Sequence, residues 1–566
     1  MTETKSLTTC ELALPFTVYL VLYTLTLSHV PSIATDSATY INQIDSGENL
    51  LHPHHLIYNT VAKAWIAIWR LLGVHTDSAI LAAELNAIFG ALSLCVFYSI
   101  VRSRLGLDRW TALLATGLPA FSWGFWFYSG CVEVYAIPLF LLLLSFYLLT
   151  DEHVDGRTFA LVGFLNGVAV LFAEISVLFA AVVFLAAWLG SRGGTTTWAK
   201  SFANYLLAAV PTAAVPYSLA AFTVPKVHSL RVAWSWLTNY ARYPGYWTPL
   251  SRSSVPRASI GFGQAFVGSH FVFALPSLRH WVERLLRGFH LDNKVFLVRN
   301  LGTGMARLLL GLTIALFLIL VTSLAARLRF WSQLSPSKQR LVYLSVAWFF
   351  AYGAFVFFYM SVNAKFWIPP SLCFWMIFLA FVLCTRPTFE AASSWPRVVI
   401  AVTVALCFLV NYLGSIRFTR DQANDYYYSE IEPLVKLANH DDLIVIGTAW
   451  KFEPYVRRYG NAKLLSMTSV YETSAGSLES VKQVQSAIDG ELAEGGKVLI
   501  SREATALEQE TISSYPGITA VLSLWDSYRR RWIKRVFPTT VIYILEPTGA
   551  PNVATRRETY SATRVK

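Results

Sequence analysis

The sequence predicts a polytopic α-helical membrane protein that ends in a small soluble α/β domain. Of its 566 residues, 55% are hydrophobic and only 14% are charged, whereas soluble domains carry about 25% charged residues. The mean hydropathy is +0.47, and apolar runs recur as far as residue 415. After Ile416 the composition changes to alternating strand and helix patterns. These observations predict a transmembrane module at 1–415 and a soluble domain at 416–566.

A membrane span needs about 20 mostly apolar residues, and about eleven segments satisfy that requirement. No small-residue cleavage site follows the first of them, so we predict that it is a retained helix rather than a signal peptide. The predicted spans are 12–30, 79–101, 111–129, 132–150, 157–173, 175–191, 203–223, 305–326, 341–360, 367–385 and 397–415.

The stretch 56–74 differs from these spans because Asn59, Lys63 and Arg70 recur on one helical face. This pattern predicts an amphipathic helix that lies in the membrane interface. If it does not cross, the Lys and Arg residues of the short loops fall on one side of the membrane, which is the cytoplasmic side by the positive-inside rule. The loop 31–78, the segment 224–304 and the C-terminal domain are then external.

The formal net charge of +12 does not point to nucleic acid, because membrane proteins gather Lys and Arg near lipid phosphates. The external segment 224–304 is strongly basic and rich in Trp, Tyr and Phe, so we predict that it lies on or in the interface. Its basic residues are Lys226, Arg231, Arg242, Arg252, Arg257, Arg279, Arg284, Arg287, Lys294 and Arg299.

In the soluble domain, four apolar strands are predicted between helical patterns, at 443–447, 463–467, 497–501 and 539–545. The turn Gly447-Thr-Ala is not a phosphate fingerprint, and Gly495-Gly496-Lys497 lacks the flanking residues of a P-loop. We therefore assign this domain no catalysis and expect a structural or acceptor-contacting role.

Asp36 lies at the outer end of the first span and has two interpretations. A carboxylate at that depth could accept the proton of an attacking hydroxyl or amine. Alternatively, Asp36 caps a short helix that starts at Ser37. Asp45 and Glu48 follow at helical spacing and are expected to be solvated, although such a carboxylate cluster could loosely hold a divalent cation.

The turn His52-Pro53-His54-His55 also has several interpretations. Its spacing is not that of a zinc protease site, so a metal is disfavoured. The histidines could line a pocket for phosphate or sugar hydroxyls, or they could simply belong to an interfacial turn.

Three ionisable residues lie at or beside membrane spans, where they are costly and therefore candidates for function. Glu133 lies in a turn between two spans and alternatively caps a helix or pairs with an Arg. Glu174 divides an overlong apolar run and has the same alternatives. Lys365 is a lone cation in an outer loop, where it could bind a lipid phosphate or snorkel to anionic lipid.

Taken together, these segments resemble the GT-C superfamily of membrane glycosyltransferases, and most closely its protein O-mannosyltransferase-like branch. The resemblance covers roughly residues 12–180 and, later, the loop Asn363-x-Lys365-Phe-Trp. It rests on four stretches, Asp36-Ser-Ala-Thr-Tyr40, His52-Pro-His-His-Leu-Ile-Tyr58, Glu84-Leu-Asn86 and Trp126-Phe-Tyr-Ser-Gly-Cys-Val-Glu133-Val-Tyr135.

The resemblance implies an inverting transferase that takes a sugar from a polyprenyl-phosphate donor and passes it to a glycan, lipid or protein acceptor at the outer membrane face. Asp36 is then the catalytic base, and Lys365 with arginines of the 224–304 segment holds the donor phosphate. The remaining substrate-binding candidates are His52, His54, His55, Tyr58, Glu133, Tyr135 and Glu174. Two departures, His54-His55 after His-Pro and Glu174 where the family often has His, point to a different sugar or acceptor.

Two other functional classes stay open on the sequence alone. A transporter or flippase of lipid-linked saccharide would need polar groups through the bilayer and internal repeats, whereas the ionisable residues here collect at one face. A non-catalytic scaffold for envelope assembly would not depend on the Asp36 carboxylate. The chain has no Asn-x-Ser/Thr sequon, which favours the cytoplasmic (inner) membrane of a bacterium.

Overall fold

The computed structural model describes residues 9–151, 153–191, 197–223, 229–238, 246–247, 249–286, 291–385, 394–474, 476–528 and 531–547. The chain folds into two compact units, Met1–Tyr426 and Tyr427–Lys566. Within the basic segment 224–304, Lys226, Arg242 and Arg287 lie outside the described residues.

In its described part the first unit consists of helices joined by turns and loops, with an isolated β-bridge between Trp247 and Tyr359. Short 3-10 helices lie between successive α-helices, at Glu174–Phe179, His270–Ala274 and Ala364–Trp367. Its α-helices are α1 (Thr9–Leu25), α2 (Pro31–Ala34), α3 (Ser37–Ser46), α4 (Tyr58–Leu71), α5 (Ser78–Ser99), α6 (Arg109–Phe121), α7 (Trp123–Ser129), α8 (Ala136–Leu149), α9 (Gly156–Phe172), α10 (Ala180–Ser191), α11 (Trp198–Thr223), α12 (Leu230–Leu237), α13 (Ser254–Phe266), α14 (Pro276–Leu285), α15 (Asp292–Leu297), α16 (Thr303–Leu328), α17 (Pro336–Phe358), α18 (Ile368–Cys384), α19 (Trp395–Asn411) and α20 (Arg417–Thr419).

The prediction of a polytopic helical membrane protein is confirmed. Seven helical segments in the described residues are long and apolar enough to cross a membrane, and three apolar helices are shorter. The remaining predicted span, 111–129, is divided at Ser122 into α6 and α7. The predicted interfacial stretch 56–74 forms α4, and the predicted span 132–150 begins only at Ala136, so Glu133 lies in the preceding turn.

Helices α9 and α11 pack closely because α9 carries Gly163 and Gly167 one helical turn apart. A Cβ at Gly163 would collide with the carbonyl of Tyr205, and a Cβ at Gly167 would meet Thr212. Small residues at this spacing allow membrane helices to approach each other without a hydrophobic driving force. The Tyr205 hydroxyl also donates to Asn166 Oδ1 at 2.6 Å, and Asn166 Nδ2 donates to the Ser176 carbonyl at 2.9 Å, two residues from Glu174.

Helix α21 (Tyr426–Leu437) leads into the second unit, which contains a five-stranded sheet in the order β2-β1-β3-β5-β4. Strands β1, β2 and β3 are parallel, and β4 and β5 are antiparallel additions. The four predicted strands are present, and the strand that the sequence did not reveal is β4. The elements are β1 (Leu443–Ile446), α22 (Ala449–Tyr459), β2 (Lys463–Ser466), α23 (Met467–Thr473), α24 (Ser477–Ala493), β3 (Val498–Ser501), α25 (Arg502–Thr505), α26 (Gln509–Ser514), α27 (Thr519–Ser523), α28 (Trp525–Tyr528), β4 (Ile533–Val536) and β5 (Val541–Leu545).

The turn between β1 and α22 lies where the chain order reverses, since β1 has β2 on one side and β3 on the other. Open parallel sheets bind ligands at such a switch point. Here the buried Glu503, just after β3, accepts hydrogen bonds from Gly447 N (2.9 Å), Thr448 N (3.0 Å) and the Thr448 hydroxyl. The site at the helix N-terminus is therefore occupied by the protein's own carboxylate.

We expect Gly447→Ala to destabilise the second unit, because an added Cβ would collide with Glu503 Oε2 and with Leu507. Gly490→Ala is the matched control, since Gly490 lies inside α24 with open space around its Cα, and alanine there should stabilise the helix by about 1 kcal/mol. Hydrogen exchange of the β1 and β3 amides in the full-length protein measures both effects. Unchanged exchange in Gly447→Ala would contradict the close packing.

Candidate active site

Asp36 lies between α2 and α3, immediately beyond the first span. It occupies the N-cap position of α3, but its side chain makes no capping hydrogen bond. Its Oδ2 instead accepts a hydrogen bond from Lys365 Nζ at 2.7 Å. The carboxylate is 44% exposed, and its Oδ1 accepts no hydrogen bond from any described residue. The capping interpretation of Asp36 therefore describes its backbone position only.

Lys365 joins two carboxylates that are distant in the sequence. Its Nζ lies 2.7 Å from Asp36 Oδ2 and 3.1 Å from Glu133 Oε1, while its own side chain is only 6% exposed. The side chain of Asn363 accepts a hydrogen bond from Lys365 N and thereby starts the 3-10 helix that aims the lysine inward. We call Asp36, Glu133 and Lys365 the carboxylate–lysine cluster.

Glu133 is fully buried in the turn between α7 and α8. This turn is held by Asn86 of α5, whose Nδ2 lies 2.7 Å from the carbonyls of both Cys131 and Glu133 and 3.1 Å from the Tyr58 hydroxyl. Burial raises the pKa of Glu133 to about 7, while the charge of Lys365 opposes that rise. The lysine therefore favours the ionised form of a carboxyl that burial alone would neutralise.

The histidine turn, residues 52–55, is a neighbouring cluster. His54 Nδ1 lies 2.5 Å from Glu174 Oε1, and Glu174 N donates to the His54 carbonyl at 3.1 Å. The Tyr217 hydroxyl donates to the carbonyl of Pro53 at 2.6 Å. Because α9 ends at Phe172 and Ala173 is extended, Glu174 is directed toward this turn.

The imidazoles of His52 and His55 are stacked with their ring centres 4.5 Å apart. Burial lowers the pKa of His52 to about 4 and that of His55 well below its usual range. Both rings are therefore neutral at pH 7. The buried Nε2 of His55 has no hydrogen-bond partner among the described residues, so a hydroxyl could satisfy it.

Tyr40 lies between the two clusters. Its ring is 4.7 Å from that of His55 and 6.0 Å from that of Tyr58, and its pKa is raised by burial and then by the Asp36 charge. The residues predicted from the sequence therefore divide into the carboxylate–lysine cluster, with Tyr135 5.5 Å from the Lys365 ammonium, and the histidine turn with Glu174. Tyr58 is fully buried and contacts Asn86.

No group of three or more His, Cys, Asp or Glu side chains in the described part of the chain is placed to hold a metal ion. Asp45 is exposed in the last turn of α3, and Glu48 is exposed two residues beyond the end of that helix. Sequence reasoning named Asn86 and Tyr40 only as parts of motifs and did not assign them to the site. The available signal was a polar side chain within an apolar helix at Asn86 of α5 and a tyrosine within α3 at Tyr40.

Comparison with solved structures identifies the fold, while neither the family models nor the curated proteins give a match. The structure of ArnT from Cupriavidus metallidurans bound to undecaprenyl phosphate aligns with a TM-score of 0.51 at 12% identity, over 95% of this chain and 98% of that chain. The Archaeoglobus fulgidus oligosaccharyltransferase in complex with Zn and sulfate aligns with a TM-score of 0.48 at 11% identity, over 95% and 73%.

A solved protein O-mannosyltransferase aligns over a smaller part of both chains. The Saccharomyces cerevisiae Pmt1-Pmt2 complex bound to the sugar donor aligns with a TM-score of 0.31 at 16% identity, over 41% of this chain and 35% of that chain. Because the alignment with ArnT covers nearly all of both chains, the two proteins share their fold. The chain therefore has the GT-C fold of membrane glycosyltransferases.

Proposed function

We propose that this protein is an inverting membrane glycosyltransferase that moves a sugar from a polyprenyl-phosphate donor to an envelope acceptor at the outer membrane face. The observation that carries the proposal is the carboxylate–lysine cluster, in which a half-exposed carboxylate contacts a buried ammonium beside the end of a span. Proton abstraction needs a positioned carboxylate, and stabilisation of a leaving phosphate needs a fixed positive charge.

In the proposed reaction, the acceptor hydroxyl or amine attacks the anomeric carbon from the face opposite the phosphate. Asp36 Oδ1 takes the proton of the attacking group as the new bond forms. The bond between the anomeric carbon and the phosphate oxygen breaks, and polyprenyl phosphate leaves as an anion. Because one displacement occurs, the configuration at the anomeric carbon inverts.

Lys365 stabilises the leaving phosphate in this proposal. An ammonium has three N–H donors, and the carboxylates of Asp36 and Glu133 accept two of them. The third can donate to a phosphate oxygen in a site from which water is largely excluded, where charge stabilisation is strong. Glu133 keeps the ammonium in position from its buried side.

The histidine turn is proposed to bind the sugar. Neutral imidazoles each offer one donor and one acceptor, which suits hydroxyl groups, and Glu174 orients His54. Tyr135 provides an aromatic ring beside the ammonium. Described arginines of the 224–304 segment are proposed to attract the donor lipid and anionic headgroups.

Two further lines support the donor class and the location. The similar ArnT structure is bound to undecaprenyl phosphate, and we propose a ligand of the same class here. The positive-inside distribution supports an external active site and C-terminal domain, and the absence of an Asn-x-Ser/Thr sequon supports a bacterial inner membrane. The acceptor is a glycan, lipid or protein of the envelope.

The test uses the full-length protein in nanodiscs with a series of polyprenyl-phosphate sugars and an envelope extract as acceptor. Mass spectrometry of the lipids should detect donor-dependent release of free polyprenyl phosphate, together with a glycosylated acceptor. Translocation of intact donor across proteoliposomes without release would support transport instead. Donor binding with neither release nor translocation would leave a scaffold as the remaining class.

A further inference from the structure

The backbone immediately before Asp36 adopts an unfavourable conformation. Thr35 has φ 66° and ψ −54°, and Asp36 N donates to the Ala34 carbonyl at 2.8 Å. These angles and this bond define the γ-turn of the rare, strained form. A β-branched residue at positive φ is a genuine outlier. Among the described residues, Thr35 is the only β-branched residue that has a positive φ.

The short helix that leads into this turn is fixed at one buried residue, Ser32. The Ser32 amide donates to Asp425 Oδ2 at 2.9 Å, and the Ser32 carbonyl accepts from Asn293 Nδ2 at 2.7 Å. Ser32 and Asp425 are fully buried, and Asn293 is 6% exposed. We call Asn293 and Asp425 the Ser32 clamp.

The two clamp residues are themselves held together. Arg299, two residues beyond α15, donates from Nη1 to Asn424 Oδ1 and from Nη2 to the Ala423 carbonyl, both at 2.9 Å. The segment that carries Asn293 and the turn that carries Asp425 therefore form one support around α2. Strained backbone persists only where its surroundings enforce it, and such strain is concentrated at functional sites.

We infer that Asn293 and Asp425 are positioning residues, which hold the strained Thr35 turn so that the Asp36 carboxylate faces Lys365 and the attacking group. The inference rests on the proposed function for the role of Asp36. Without the clamp, Thr35 relaxes to negative φ, and the Asp36 side chain rotates out of the carboxylate–lysine cluster. The clamp thus acts on turnover rather than on binding of the donor.

Asn293→Asp tests the clamp with almost no change in volume. The aspartate retains the acceptor for Lys294 N, which Asn293 Oδ1 now provides at 2.8 Å, but cannot donate to the Ser32 carbonyl. We expect kcat to fall about 10–100-fold with the KM for donor unchanged. Asn300→Asp, an exposed position of the same segment, is the control and should be unchanged.

Thr35→Gly separates positioning from a merely structural role. Glycine adopts positive φ without steric cost, so Thr35→Gly should keep near-normal turnover and should restore most of the kcat lost in Asn293→Asp. Normal kcat in Asn293→Asp, or no recovery in the double variant, would overturn the inference.

Melting temperatures of wild type, Asn293→Asp, Thr35→Gly and the double variant in nanodiscs provide a readout that does not need transfer. Thr35→Gly should raise the melting temperature, and its effect should differ between the wild-type and Asn293→Asp backgrounds, because coupled sites are not additive. If wild type transfers no sugar, the proposed function fails while this cycle still decides the clamp. Additive effects of the two substitutions on the melting temperature would overturn the inference that Asn293 holds the Thr35 turn.

Discussion

Asp36→Asn is expected to abolish detectable sugar transfer while the protein remains folded and still binds the donor. The amide cannot accept the proton of the attacking hydroxyl or amine, and loss of a positioned general base costs about 10²–10⁴-fold in rate. The change preserves the volume of the side chain, and the amide oxygen can still accept a hydrogen bond from Lys365 Nζ, which lies 2.7 Å from Oδ2.

The measurement is release of free polyprenyl phosphate under single-turnover conditions, with donor binding measured separately. Asp77→Asn is the matched control, because Asp77 is an exposed N-cap of α5 and asparagine caps helices equally well. Transfer by Asp36→Asn at the wild-type rate would remove Asp36 as the base and would favour a transport or scaffold role.

Lys365→Met is expected to destabilise the transmembrane unit more than the other substitutions proposed for it. It removes the cation from Glu133, which is fully buried, and breaking one side of a buried ion pair costs about 3–5 kcal/mol. The double variant Lys365→Met/Glu133→Gln should regain much of this stability, since no buried charge is left unpaired. It should not regain transfer, because the leaving phosphate still lacks its ammonium.

The loss in Lys365→Met should also depend on pH. Burial raises the pKa of Glu133 to about 7 from the usual 4.5, so its stabilising contribution is complete below 4.5 and is lost as the pH rises through the folded value. Without Lys365 to oppose the rise, ionised Glu133 is more costly still. Thermal unfolding in nanodiscs should therefore show a larger loss at pH 8 than at pH 5.5.

Lys482→Met, on the exposed face of α24, is the control for the general effect of removing a lysine. A stability loss in Lys365→Met that matches this control at both pH values would show that the ion pairs in the carboxylate–lysine cluster carry no net energy.

The helical fold and most residues of the candidate site could be proposed from the sequence because both depend on its local features. Apolar length determines which segments span, and an ionisable residue beside a span is conspicuous whatever its partner. Asp36, Glu133 and Lys365 were each identified in this way. Their roles as candidate catalytic groups remain predictions.

The pairing within the site could not be predicted from the sequence. Asp36 and Lys365 are 329 residues apart, and the alternatives considered for Lys365 were a lipid phosphate and snorkelling, not two carboxylates. Asn293 and Asp425 carried no signal, because a polar residue outside the predicted spans is unremarkable until its partner is known. Strand β4 was missed since all four of its residues are exposed and two are Lys534 and Arg535, a composition typical of a protected sheet edge.

The carboxylate of Glu503 at the β1–α22 turn affects which ligands can bind at that switch point. An anion from solution would have to displace a tethered competitor that is already present at high effective concentration and that would lose three hydrogen bonds on leaving. A nucleotide sugar has no advantage in that competition. The switch point of this sheet therefore disfavours phosphate-bearing ligands, although open parallel sheets often bind ligands at such a place.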